Sequence, residues 1–273
     1  MRTILMLLLV GCSTQCLAQT DPANPENKNQ VEEKQTQEGV QEPLQVETTE
    51  DEASPEKKKP AKPKIPKALT HYMGRKIAQT MHYTGAEWLI RDYREREERC
   101  SMMLANLGLK RGMSVCDMGC GNGYHALQIA ELIGKDGQVF GVDIQSQMLE
   151  LLRRRMEDQG IENIIPILGS VHNPHLPDNS LDLILLVDVY HEFSHPEHML
   201  KAMSDSLKPE GLIVLVEFRE EDPDVPIKPL HKMSKAQINK ELTANGFKLV
   251  KEFDGLPWQH MMFFGRASNP HQK

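Results

Sequence analysis

The sequence predicts an α/β fold built on a doubly wound, mostly parallel sheet of seven strands with an antiparallel last strand. Three observations carry this expectation. Beyond Ala68, short apolar runs alternate with amphipathic stretches of helical period. Five strand–helix alternations imply parallel strands with helices on both faces. The last two apolar runs are joined only by Asp254-Gly255-Leu256-Pro257, which leaves no room for a crossover, so they should pair antiparallel.

The chain has 273 residues, enough for one domain of ordinary size and additional segments. Met1-Arg2-Thr3 followed by Ile4–Val10 has the pattern of a secretory signal, too short to span a membrane. Two exits compete. Leu9-Val10-Gly11-Cys12 resembles a bacterial lipobox, with lipid on Cys12 as a possible membrane tether, and Cys16-Leu17-Ala18 offers a cleavage site that ends the signal at residue 18. Either exit sends the protein out of the cytoplasm, periplasmic or lipid-anchored; a misread leader leaves it cytoplasmic. Residues 19–67 read as a disordered Pro/Glu/Lys-rich linker: from Thr20 no Phe, Tyr, Trp, Met or Ile occurs before Ile65, so the stretch cannot bury enough apolar surface to offset its ordering entropy. After residue 20 no run is long and apolar enough to cross a bilayer.

Residues 68–100 form the expected N-terminal helical cap. Within it Arg94/Glu98 and Glu95/Arg99 stand four apart, which suits a helix with an exposed charged face. The domain proper is expected over 101–268. Its strands are Ser114–Asp117, Val139–Asp143, Ile164–Leu168, Leu181–Val187, Leu212–Phe218, Phe247–Phe253 and Met261–Gly265. Ala126, Ile129, Ala130 and Ile133 recur at helical spacing and Gly134 stops that helix; Ser146 caps the next, which ends near Gly160.

Between the first of these strands and the first helix lies Asp117-Met118-Gly119-Cys120-Gly121-Asn122-Gly123-Tyr124. Glycines there admit a ligand close to the backbone, and the helix end offers free N–H groups. A dinucleotide fingerprint needs Gly or Ala where Tyr124 stands, which disfavours an NAD-dependent oxidoreductase. Asp-x-Gly-x-Gly-x-Gly instead resembles the nucleoside loop of class I S-adenosylmethionine-dependent methyltransferases, a Rossmann-like fold. The resemblance extends over roughly residues 100–268. It implies that Asp117 faces the amino-acid end of S-adenosylmethionine and that Gly119, Gly121 and Gly123 make room for it. Asp143, with Ile144 beside it, ends the second strand, where a carboxylate accepts ribose hydroxyls. Ser170 and Val171, at the third strand end, stand where the family contacts adenine, although the usual acid is missing there.

At the fourth strand end the family places the transferable methyl, so Asp188, Tyr190, His191 and Glu192 crowd the expected acceptor pocket. His191 has the ordinary pKa of a general base at neutral pH. Asp188, Tyr190 and His191 are the expected catalytic residues; for His191 and Glu192 a purely structural role at a helix start competes. Lys208-Pro209-Glu210-Gly211 reads as the turn before the fifth strand, Pro226–Met233 as a cover over the pocket, and Pro257–His260 as packing at a hairpin. A net charge of −7 argues against nucleic-acid partners. Five cysteines do not make a disulfide framework; Cys116 and Cys120 read as a buried strand residue and a loop filler, and no metal site is expected. The expected activity is methyl transfer to a small-molecule acceptor, the rival being a tethered module that binds the cofactor without turnover. Unpaired thiols, and a cofactor made in the cytoplasm, conflict with export.

Overall fold

The computed structural model describes residues 65–267. The leader, both candidate exits with Cys12, and the linker up to residue 64 lie outside the described residues, as does residue 268. The end of the linker is already docked: the Pro66 carbonyl lies 2.8 Å from His195 Nε2, and Leu69 N–H donates to the Ser194 carbonyl at 2.9 Å.

Two short strands, β1 (His71–Tyr72) and β2 (Arg75–Lys76), pair around Met73-Gly74. A 3-10 helix over Tyr83–Ile90 follows, then α1 (Arg94–Glu98) and α2 (Cys100–Asn106). The single charged helix expected here is broken at Arg99, whose φ of 49° is left-handed. Its charged face is not exposed either. Arg94 and Glu98 are buried and pair at 2.8 Å, and Arg91 bridges Glu97 and Glu98. The i,i+4 pattern found a real pair, but these groups turn towards the domain because they close over a cavity there.

The main sheet contains β3 (Ser114–Met118), β4 (Gln138–Asp143), β5 (Ile164–Leu168), β6 (Leu181–Val187), β7 (Leu207–Arg219), β8 (Lys232–Met233), β9 (Phe247–Phe253) and β10 (Gln259–Arg266). Seven strands lie in the order β5-β4-β3-β6-β7-β10-β9, and β8 adds a short parallel pairing at the end of β7. β10 runs antiparallel to both β7 and β9, as the short link before it requires. Strand order reverses between β3 and β6, so the loops beyond their carboxyl ends diverge and leave a crevice.

Alternation of side chains along each strand feeds two apolar layers. Val115, Leu183, Leu185, Val214, Val216, Met261 and Phe263 pack with α2, α3 (Tyr124–Ile133) and α4 (Ser146–Gln159). Cys116, Ile184, Leu186, Ile213, Leu215, Met262 and Phe264 pack with α5 (Pro196–Ser206) and α6 (Lys235–Ala244). Each fully buried Leu or Ile contributes about 1.5–3 kcal/mol, so this double layer fixes the strand ends that carry the site.

Helix punctuation follows the sequence except at one cap. Gly134 and Gly160 end α3 and α4 with φ of 71° and 64°. Gln145 occupies the N-cap of α4, not Ser146, and its amide is held by the strap above: it accepts from Tyr83 N–H and donates to the Met81 carbonyl. Lys208-Pro209-Glu210-Gly211 lies inside β7, not before it, where the pairing with β6 slips between Leu181 and Leu183.

Candidate active site

A cavity of about 560 Å3 opens at the carboxyl ends of β3, β4, β6 and β7. One end of it is framed by Gly119, Gly121, Asp143, Ile144, Ser170 and Val171. Gly119 has a φ of 71°, and a Cβ there would stand 2.4 Å from Val189 Cγ2, so only glycine fits between the β3 turn and the β6 turn. Asp143 holds the two loops together. Its Oδ2 accepts from Gly121 N–H at 3.0 Å and its Oδ1 from Gln145 N–H at 2.8 Å. Burial raises its pKa, and those backbone donors oppose the rise.

Two residues expected at this end sit behind it. Asp117 is buried beneath the loop and does not line the cavity. Burial pushes its carboxyl up to about 7, against the backbone N–H of Ala126 and the charge of Arg94, and its Oδ2 has no hydrogen-bond partner among the described residues. Gly123 is the left-handed N-cap of α3, and a Cβ would meet Leu152 Cδ1 at 2.3 Å. Its smallness serves helix–helix packing, not ligand access.

The other end is framed by Asp188, Val189, His191 and Glu192 after β6, by Phe218 near the end of β7, and by Ile227, Lys228 and His231 after it. Met81, Trp88, Leu89, Arg94 and Glu98 close it from the N-terminal segment. Asp188 adopts a left-handed φ of 53°, which Asp tolerates better than most side chains but still at a cost. Its Oδ2 accepts from Gln259 Nε2 at 2.9 Å, while its buried Oδ1 has no partner among the described residues. Burial, reinforced by Glu98 and Glu217, holds its pKa well above the usual carboxylate range.

His191 is buried, with Nδ1 at 2.6 Å from Glu217 Oε2 and Nε2 at 3.0 Å from His231 Nδ1. Burial alone would lower its pKa, but the Glu217 carboxylate outweighs that and raises it. Burial pushes Glu192 up to about 7, against the pull of His191 and the Met81 N–H.

Tyr190 is the clear correction at this end. It is fully buried and outside the cavity, with its hydroxyl donating to Glu241 at 2.8 Å and Arg75 over its ring. The 3-10 turn Tyr190–Glu192 sends consecutive side chains in different directions, and the tyrosine joins the layer around α5 and α6. The hairpin segment read as packing also does more, because Gln259 reaches Asp188. Pro226, Ile227, Lys228 and His231 do line the cavity, in keeping with a cover. Arg94, Glu98, Glu217 and Gln259 join the site from outside the predicted set; their signals in the sequence are the i,i+4 pair, a glutamate inside an apolar strand and the hairpin segment Pro257–His260.

The family model described as a methyltransferase domain matches residues 109–262. The chain belongs to this family. Among curated proteins, it is 30% identical over 151 residues to a ubiquinone/menaquinone biosynthesis C-methyltransferase of Azotobacter vinelandii, covering 53% of this chain and 59% of that protein. It is 27% identical over 115 residues to a demethylmenaquinone methyltransferase of Geobacillus kaustophilus, covering 42% of this chain and 49% of the relative. The chain thus spans about half the length of the curated relatives it matches. Among solved structures, a SAM-dependent methyltransferase from Aquifex aeolicus shares the fold with a TM-score of 0.64 at 22% identity, covering 68% of this chain and 98% of that one.

The residues present fit S-adenosylmethionine, the cofactor on which the Aquifex aeolicus protein is described as dependent. The glycine cradle at Gly119 and Gly121 would fill if a Cβ were added, and Asp143 presents a carboxylate to the cavity beside it. Asp188, whose Oδ1 has no hydrogen-bond partner among the described residues, lines the same cavity.

Proposed function

We propose that this methyltransferase transfers a methyl group to a small, largely apolar acceptor held between the carboxyl ends of β6 and β7. The observation that carries the reading is that one continuous cavity joins the Gly121–Asp143 cradle to the Asp188–His191–Glu192 turn. The cofactor supplies a methyl group already activated on a sulfonium. The protein's task is then to align the acceptor and manage its proton. Asp143 and the backbone at Gly119 and Gly121 hold the adenosine half, with Ile144, Ser170 and Val171 around the base. Asp188 faces the positive centre. His191, held by Glu217 through Nδ1, turns Nε2 with His231 towards the acceptor's end of the cavity. Trp88, Leu89, Val187, Phe218 and Ile227 give the acceptor an apolar bed.

The curated relatives are methyltransferases of quinone biosynthesis, so a hydroxylated or quinone-type ring is the first acceptor to try. The test is to incubate the protein with methyl-labelled cofactor and fractionated cell extract. Label in a solvent-extractable small molecule supports the reading. Label confined to protein or nucleic acid contradicts it.

A further inference from the structure

We propose that His191, Glu192 and His231 form a divalent-metal site at the acceptor end of the cavity, suited to zinc. The ion would hold the acceptor's nucleophilic oxygen or sulfur. The proposal deepens the reading of the cavity as a methyl-transfer site and rests on it.

One ligand atom from each of the three residues lies within 4.8 Å of the others. His191 Nε2 is 3.0 Å from His231 Nδ1 and 4.0 Å from Glu192 Oε1. Zinc bonds of about 2.0–2.2 Å in a tetrahedral arrangement separate neighbouring ligands by roughly 3.4 Å. The two separations at His191 Nε2, 3.0 Å and 4.0 Å, stand on either side of that value. A plain imidazole–imidazole hydrogen bond accounts for the first distance but not for the carboxylate converging on the same nitrogen.

A second observation points the same way. Glu217 is fully buried and engages His191 Nδ1 at 2.6 Å, while its Oε1 accepts from Tyr190 N–H at 2.8 Å. A carboxylate behind a histidine, fixing the ring so that the other nitrogen faces the metal, is the usual outer shell of a histidine-bound metal. The ligand turn is braced from outside as well. The His191 carbonyl accepts from Arg75 Nη1 and from Ala78 N–H, and Glu192 Oε1, the oxygen nearer His191 Nε2, is held by Met81 N–H. His231 comes from the separate turn Pro229–His231, which abuts the first across the cavity mouth.

Two histidines and one carboxylate leave a coordination position open, and all three residues line the cavity. The chemistry this implies is an acceptor with a hydroxyl, enol or thiol. Its proton is lost to solvent as its lone pair meets the ion. A lone pair on the same acceptor then forms the bond to the methyl carbon as the carbon–sulfur bond breaks, and that electron pair stays on the cofactor's sulfur. A redox-inert ion suffices, since no electron changes hands.

The experiment uses the full chain, stripped with chelator and titrated with zinc ion, then repeated with cobalt(II) for its visible spectrum. The expected result is one tight equivalent, a rise in Tm, and cobalt bands of low-symmetry nitrogen/oxygen coordination. His231→Ala, on a partly exposed turn, and Glu192→Gln should each weaken zinc binding 10-fold or more and abolish the Tm rise, with the fold intact by circular dichroism. Zinc bound no tighter by the wild type than by His231→Ala overturns the site. Calorimetry of S-adenosylmethionine on the stripped protein keeps the two claims apart: binding there upholds the reading of the cavity whatever zinc does, and zinc binding without it overturns that reading and the acceptor role proposed for the ion.

Discussion

At the cofactor end of the cavity, Gly119, Gly121 and Asp143 come from two neighbouring strand ends, and the hydrogen bond that joins them spans 22 positions. At the acceptor end, His191 meets Glu217 across 26 positions and His231 across 40, and the Arg75–Glu241 pair beneath them closes 166. The first end is a local backbone shape with a carboxylate beside it. The second is a set of buried polar side chains that only the finished fold brings together. A loop shape tolerates change in its surroundings. A network of buried charges does not, because each member left alone keeps its full desolvation cost.

The comparison breaks most visibly at Glu241. This carboxylate is fully buried, paired with Arg75 at 2.7 Å and accepting the Tyr190 hydroxyl. Glu241→Ala leaves the arginine without its partner under the acceptor turn and should cost about 3–5 kcal/mol. Urea unfolding measures it. A loss below about 1 kcal/mol would mean that the acceptor end does not depend on long-range polar pairing.

Asp117 sharpens the contrast from the other side. Burial raises its pKa to about 7 in the fold, above the 3.8 of an unperturbed carboxyl. The folded state therefore binds this proton more tightly than the unfolded chain. The stabilisation is complete below the unfolded value and is lost as pH rises through about 7. With the rise from 3.8 to about 7 and each pKa unit worth about 1.4 kcal/mol, the effect is on the order of 4 kcal/mol. Asp117→Asn should remove that part of the pH dependence, so the variant gains on the wild type between pH 4 and 8 when urea midpoints are compared. Parallel midpoint curves for the two proteins would place the carboxyl in water, and so return it to the cavity.

What the sequence made legible follows the same division. Strand alternation, the antiparallel close after Asp254-Gly255-Leu256-Pro257 and the glycine loop are all properties of neighbouring residues, and each is present as expected. Tyr190 misled because a 3-10 turn splits the directions of three adjacent side chains, a feature with no period to read. Asp117 misled because motif position does not say whether a carboxylate points into the crevice or under the loop. Arg94 and Glu98 showed their pairing but not their burial, since i,i+4 spacing is the same on an inner face as on an outer one. Glu217 stood as one acid in an apolar strand, and its role depends on a histidine from the turn after β6, the strand beside it.

The most direct test of the two-ended cavity is calorimetric titration of S-adenosylmethionine into Asp143→Ala and His191→Ala side by side. Asp143→Ala should lose affinity by the worth of charged-acceptor hydrogen bonds, about 1.5–3 kcal/mol. His191→Ala should bind the cofactor as the wild type does. Equal losses in both variants, or a loss in His191→Ala alone, would contradict the assignment of the two ends.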